Sequence, residues 1–272
     1  MKKEHKVLKF FMPMLACIYF LVAVVICGSV NMQEEFVLYR NLLSNLLEIV
    51  VIIVTVLLIK KVLPKVFPQI TECKMVIPPV YVLIAVFLIM PLWIIVKYKL
   101  VYIMYSSMGN VDLQTVVYTT SELKEDLVRG ISAFFLAPVY EELCFRYLAL
   151  SAFKKKKSQV IFGCLVALFF GILHLGNFMG AFMDALIFML LFVFTKNIVL
   201  CIWTHCCWNI SAMVFFIMSY LGIWDLSQSS YPSVIRVENI SATIISCVLA
   251  VVGIALLCYK KYLCNRHGKK TI

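Results

Sequence analysis

The chain has 272 residues, of which 63% are hydrophobic and only 14% are charged, and its formal net charge is +11. An ordinary soluble domain is about 25% charged, so too few polar residues remain to cover a water-facing surface, which excludes a soluble globular enzyme. The basic residues lie in short clusters between long apolar runs and form no continuous stripe, which excludes a nucleic-acid-binding protein. The composition therefore predicts a polytopic membrane protein.

Apolar runs long enough to cross a bilayer recur along the chain. A bilayer core of ~30 Å needs about 20 apolar residues of helix. In chain order, the candidate spans are 7–29, 42–59, 75–96, 131–153, 158–175, 178–195, 198–220 and 241–259. The fifth and sixth are joined by only Gly176 and Asn177, which predicts a tight helical hairpin. The predicted fold class is all-α, a membrane bundle of about eight transmembrane helices.

The distribution of positive charge predicts the orientation. With the N-terminus inside, 18 of the 25 Lys and Arg residues fall in inner segments and six in outer segments, as the positive-inside rule requires. Both termini are therefore predicted to be cytoplasmic. We expect a multi-pass protein of a bacterial cytoplasmic membrane, with three regions. They are an N-terminal transmembrane region with an outer loop (1–130), a functional core (131–220), and a last helix with a basic tail (221–272).

The 11 cysteines are predicted to be free. Most of them lie inside apolar runs, where cysteine behaves as a small hydrophobic residue. No pair has the spacing of a zinc site, because Cys206 and Cys207 are adjacent and point to different faces of a helix.

Ionisable residues inside the predicted spans indicate function, because each costs about 2.5–3.5 kcal/mol at the centre of a membrane helix. Glu141, Glu142 and Arg146 form the motif Glu-Glu-x-x-x-Arg in the fourth span. Glu142 and Arg146 are one helical turn apart and can pair. Glu141 lies about 100° around the helix and lacks that partner, so we expect it to be poised to exchange a proton as a general base. Two further acids, Glu48 and Asp184, have no motif around them, and structural roles are expected for both.

Two histidines supply the other polar groups inside spans. His174 ends a Phe-x-x-x-His motif that begins at Phe170, and His205 begins a His-x-x-x-Asn motif that ends at Asn209. In each motif the end residues are four apart and share a face of a helix. A single membrane histidine often only bonds a neighbouring helix, but two beside a doubled glutamate favour a reactive site.

Together these three motifs, in this order on successive spans, resemble the CPBP family of intramembrane proteases. This is the CAAX-protease and bacteriocin-processing family, also called Abi, which includes the type II CAAX prenyl endopeptidases. The resemblance covers about residues 131–210. It implies an intramembrane endopeptidase that hydrolyses a peptide bond in a membrane-associated peptide or protein. The roles it implies are activation of a water by Glu141 with His174, orientation of that carboxylate by Glu142 and Arg146, and stabilisation of the oxyanion by His205 and Asn209.

The resemblance also implies a metalloprotease with a divalent ion, zinc first. Glu141, His174 and His205 would form a three-ligand open site. The sequence does not decide between a metal-bound and a directly activated water, and we favour the metal. At 1.5 Å per residue, Glu141 would lie about 18 Å, His205 about 13 Å and His174 about 25 Å from the inner ends of their spans. A shared site requires these three depths to converge.

Two other functions remain open at the level of sequence. One is a small proton-coupled transporter, although the polar residues cluster in the C-terminal half and show no internal symmetry of the kind expected for such folds. The other is a non-catalytic bacteriocin immunity or scaffold protein. The expected partners of the protease are a peptide or membrane-protein substrate and the lipid bilayer, with no nucleic acid.

Overall fold

The computed structural model describes residues 43, 46–47, 49–54, 56–57, 79–108, 113–115, 130, 132–151, 153–174, 177–223, 226–229, 235–237 and 240–268. The first predicted span and Glu48 lie outside these residues. The described positions between 43 and 57 are helical, in agreement with the second predicted span.

The described chain is predominantly helical. The helices are α1 (Pro79–Met108), α2 (Ala137–Glu142), α3 (Lys156–Leu173), α4 (Phe178–Thr195), α5 (Ile198–Tyr220) and α6 (Ile240–Gly268). Two π-helical segments, Ser132–Leu136 and Leu143–Leu148, flank α2, and we call the three segments together the motif helix. The strands are β1 (Leu113–Thr115), β2 (Leu226–Ser229) and β3 (Ile235–Val237).

Within these residues, four helical segments are long and apolar enough to cross a membrane. They are Val80–Met108, Lys156–Leu173, Phe178–Thr195 and Ile240–Lys260. The membrane character predicted from composition is therefore supported, and the helices agree closely with four of the predicted spans. The total of eight spans and the cytoplasmic position of both termini stay predictions.

One predicted boundary is wrong. The third span was expected to end at residue 96, but α1 continues to Met108. Lys97 is only 4% exposed, and its Nζ lies 5.4 Å from the ring centre of Tyr98 and 5.5 Å from that of Trp208. Aromatic faces attract a cation at such distances, so this lysine is accommodated inside the helix and does not mark its end.

The chain divides into two compact units. The first comprises residues Met1–Cys73, Lys124–His174 and Ala181–His205. The second comprises residues Lys74–Leu123, Leu175–Gly180 and Cys206–Ile272. The predicted division at residues 130 and 220 stays a prediction.

The first unit is organised around the motif helix, which is buried from Glu141 to Ser151. Its core includes Phe145, Phe170 and Phe192. Helices α3 and α4 approach closely where a Cβ on Gly163 would lie 2.4 Å from the Cγ of Met189. These two residues are equally far along the chain from the α3–α4 connection, which is the relation expected of the predicted antiparallel hairpin.

In the second unit, α1 packs along α6, and a small sheet joins β1 to the distant strands β2 and β3. A Cβ on Gly253 of α6 would lie 2.9 Å from the carbonyl oxygen of Ala85 in α1, so glycine permits this close approach. The sheet is antiparallel with strand order β1-β2-β3. It adds a feature that the all-α prediction lacks.

Candidate active site

The Glu-Glu-x-x-x-Arg motif lies where the motif helix changes its hydrogen-bonding pattern. Glu141 and Glu142 end α2, and Arg146 lies in the π-helical segment that follows. Pro138 is at the start of α2, and because proline has no N–H it cannot make the helical hydrogen bond to the preceding turn. Single π-helical turns of this kind occur frequently at functional sites.

Glu142 is the centre of a buried polar network. It is 0% exposed, and Arg146 is 1% exposed. The Oε1 of Glu142 lies 3.2 Å from the Nη1 of Arg146 and 3.0 Å from the Nδ1 of His205. The Nη2 of Arg146 also donates a hydrogen bond to the carbonyl oxygen of Ala185 in α4, at 3.3 Å. The predicted Glu142–Arg146 pair is therefore confirmed, and it joins the motif helix to α4 and α5.

Glu142 determines which nitrogen of His205 is available. An ionised carboxylate only accepts hydrogen bonds, so the Nδ1–H of His205 donates to Glu142. The other nitrogen, Nε2, lies 3.7 Å from the Oε2 of Glu141. Neighbouring carboxylates therefore contact opposite edges of one imidazole, and Glu141 has its partner across the site and not on its own helix.

His174 lies on the same side of this network. It follows the last residue of α3, and its Nδ1 lies 2.8 Å from the carbonyl oxygen of Phe170. A carbonyl oxygen can only accept, so Nδ1 carries a proton and Nε2 is the free nitrogen in the neutral ring. His205, His174 and Arg146 all lie within electrostatic range of the Glu141 carboxyl. The first unit therefore brings together five of the six predicted residues.

Two further predicted residues lie on α5 and α4. Asn209 is half-buried on α5, one turn beyond His205, and belongs to the second unit. Asp184 is buried on α4, next in sequence to the residue that accepts the hydrogen bond from Arg146. The predicted role of Asn209 and the structural role expected for Asp184 stay predictions.

Comparison with known proteins agrees with the motifs. Residues 123–211 match the family model described as type II CAAX prenyl endopeptidase, Rce1-like. This segment is therefore similar to the CAAX protease family. It includes all six predicted site residues, and it nearly coincides with the 131–210 over which the motifs resemble the family. No curated protein and no solved structure matches the chain.

The donor atoms of the candidate site fit a metal ion only in part. Adjacent ligands of a tetrahedral zinc ion lie about 3.4 Å apart when each bond is about 2.05 Å, close to the 3.7 Å between Glu141 Oε2 and His205 Nε2. Glu142, hydrogen-bonded to the Nδ1 of His205, is the kind of partner that metal-binding histidines have. Among the described residues, however, no three potential ligands are close enough to hold an ion together. The three-ligand set of Glu141, His174 and His205 therefore stays a prediction.

The formal charges of the cluster do not cancel. Two carboxylates face one guanidinium, so with a neutral His205 these four side chains carry one net negative charge in a buried site. A single extra proton or a bound cation would balance it. The Oε2 of Glu142 makes no hydrogen bond to the described residues, so this atom also has room for a further donor.

Sequence reasoning missed several residues that shape the site. Phe188 of α4 stacks on the ring of His205, with centres 4.5 Å apart. Gln159 of α3 donates to the carbonyl oxygens of Leu150 and Phe153 and accepts a hydrogen bond from Lys196. Nothing distinguishes Phe188 from 19 other phenylalanines in the sequence. A polar Gln159 two residues after the lysine cluster is the only local signal for the second set of contacts.

Proposed function

We propose that the chain is an intramembrane endopeptidase of a bacterial cytoplasmic membrane. It would hydrolyse a peptide bond in a small membrane-associated precursor, such as a bacteriocin leader, a signalling peptide or a remnant signal peptide. The observation that supports this proposal most is the buried arrangement Glu141–His205–Glu142, with 3.7 Å and 3.0 Å between the facing atoms. It places a carboxylate beside an imidazole whose orientation a second carboxylate fixes, as general base chemistry requires.

In the proposed reaction Glu141, assisted by His174, accepts a proton from water as the water oxygen bonds to the scissile carbonyl carbon. The carbonyl electron pair moves onto its oxygen, which His205 and Asn209 stabilise. The intermediate then collapses, the C–N bond breaks, and the proton held by Glu141 passes to the leaving amine. One water is consumed, and a carboxyl and an amine are formed.

The proposed role of His205 sets a condition on its protonation. Because Nδ1 donates to Glu142, Nε2 can donate to an oxyanion only when His205 is an imidazolium. The same extra proton would balance the charges of the cluster. Stabilisation of an oxyanion by one such donor is worth about 3–4 kcal/mol.

The proposal includes a divalent metal ion, and zinc is the ion that we favour. In that metal-bound form His205 would be neutral, because Nε2 would hold the ion and would not donate to the oxyanion. Glu141 and His205 would hold the ion through their facing atoms, with His174 as the third ligand, and the ion would polarise the scissile carbonyl or a water. Zinc content of the purified protein, with and without a chelator, tests this. About one zinc per chain in wild type, reduced in His205→Gln, is the expected result. Peptide cleavage that persists in the chelated, zinc-free protein would contradict the proposal that the reaction needs a metal ion.

Peptidomics of membranes tests the protease itself. We compare cells with wild-type protein, Glu141→Gln, and Asp184→Asn as a matched control, since Asp184 is a buried carboxylate outside the three motifs. The products present with wild type and Asp184→Asn should fall at least about a hundredfold in Glu141→Gln, with equal amounts of inserted protein. Unchanged products in Glu141→Gln would contradict the proposal. If Glu141→Gln still protects cells against a bacteriocin, the alternative of a non-catalytic immunity or scaffold protein would be favoured.

A further inference from the structure

Arg146 contacts two aromatic rings in addition to its carboxylate partner. Its guanidinium carbon lies 5.4 Å from the ring centre of Phe170 in α3 and 5.5 Å from that of Phe188 in α4. Both distances are within the range of about 6 Å over which an aromatic face attracts a cation. Arg146, Phe170 and Phe188 are all at least 96% buried, so water does not weaken these contacts.

Each of the two rings also contacts one of the site histidines. Phe170 lies 4.4 Å from the ring centre of His174 with an angle of 33° between the planes. Phe188 lies 4.5 Å from the ring centre of His205 with an angle of 29°. Both centre distances lie at the short end of the range of about 4.5–7 Å in which aromatic rings attract each other, and the Phe188 ring stacks on His205. One guanidinium is therefore linked through two phenylalanines to both histidines.

We propose that Arg146 and these rings form an aromatic link that sets the placement of the two histidines, with Phe188 as a positioning residue for His205. A hydrogen bond at one nitrogen, such as the one from His205 Nδ1 to Glu142, fixes one edge of an imidazole but leaves the ring plane able to rotate about that bond. A ring stacked on the imidazole face restricts this rotation. Phe188 therefore controls where Nε2 points, and Phe170 has the same relation to His174.

The inference rests on the proposed function for its catalytic consequence but not for its structural one. Phe188→Leu removes the ring and keeps an apolar side chain, and Phe188→Tyr keeps the ring. The matched control is Phe192→Leu on the same helix, since Phe192 is also buried, at 3% exposed, and its cation contact is with Lys196. If Nε2 is misplaced by about 1 Å, kcat should fall by about tenfold to a hundredfold, with KM changed less than twofold.

The decisive measurement does not need a substrate. Full-length protein with isotope-labelled histidines in lipid nanodiscs gives ring signals that His174→Gln and His205→Gln assign. Phe188→Leu should shift the His205 signals more than those of His174, Phe170→Leu should do the reverse, and Arg146→Lys should shift both. Phe192→Leu should shift neither. Any other pattern overturns the inference, including equal shifts or none in Phe188→Leu.

If Phe188→Leu does not fold, Phe188→Tyr tests the same inference. Phe188→Tyr should retain the His205 signals of the wild type, because the stacked ring is still present, and their loss would overturn the inference. If the wild-type protein cleaves no peptide, the proposed function fails, while the histidine spectra still decide whether the aromatic link exists.

Discussion

Removal of the positive charge of Arg146 should destabilise the first unit by more than any surface substitution. In Arg146→Met the volume is roughly kept, but Glu142 loses its partner at 3.2 Å and remains 0% exposed. At an effective dielectric constant of about 20, a pair of unit charges at that distance attracts by about 5 kcal/mol. Removal of one partner of a buried pair leaves the other charge out of water and without its counterion. This destabilises a protein by about 3–5 kcal/mol.

Reversible unfolding in mixed micelles measures this cost, with the exposed Lys157→Met as the control, which should change stability by less than about 0.5 kcal/mol. The double variant Glu142→Gln/Arg146→Met should be less destabilised than Arg146→Met alone, since Glu142 no longer leaves a buried charge without its guanidinium partner. The two single changes should therefore be coupled by at least about 2 kcal/mol. A cost below about 1 kcal/mol for Arg146→Met, or a double variant equal to the sum of the singles, would refute this reasoning.

Three other changes test the packing with the same unfolding assay. Gly253→Val should cost about 1–3 kcal/mol, because its Cβ would lie 2.9 Å from the Ala85 carbonyl oxygen, whereas the exposed Ala255→Val should be nearly neutral; equal effects would contradict the close approach. Gln159→Leu should cost about 1–3 kcal/mol, because two carbonyl oxygens at the end of the motif helix lose its hydrogen bonds, and a neutral result would exclude this clamp. Asn197→Ala should cost about 0.5–2 kcal/mol, since its Oδ1 accepts an N–H of the first turn of α5 at 3.0 Å; Asn197→Ser should restore much of it, and failure to do so would argue against a cap.

The sequence predicts those contacts of the site that form between residues one helical turn apart. Glu142 pairs with Arg146, and Phe170 contacts His174, because residues four apart share a helical face. The helix limits follow from apolar run length in the same local way. Where a buried lysine interrupts such a run, as Lys97 does in α1, aromatic neighbours from elsewhere in the chain decide whether the helix ends.

The parts that could not be predicted depend on how helices cross. Depths counted along the chain place His174 and Glu141 about 7 Å apart, but such a count compares depths only for parallel helices. In the structure, the Phe170 ring of α3 contacts Phe145 and Arg146, so the end of α3 meets the motif helix at the level of the motif. The strands of the small sheet have three or four residues each, too few for an alternating pattern to stand out.

In the Phe-x-x-x-His motif, the spacing of four residues also determines the hydrogen bond and the ring contact of the histidine. In the second motif the carbonyl oxygen of Phe170 accepts the Nδ1–H of His174, and the ring of the same phenylalanine contacts the imidazole with an angle of 33° between the planes. One residue therefore fixes both the tautomer and the ring plane of that histidine from within a single helix. His205 has no such aromatic residue one turn before it, since Cys201 occupies that position. Its tautomer and plane instead come from Glu142 and Phe188 on two other helices, so His205 depends on tertiary packing, and substitutions in α4 should affect it first.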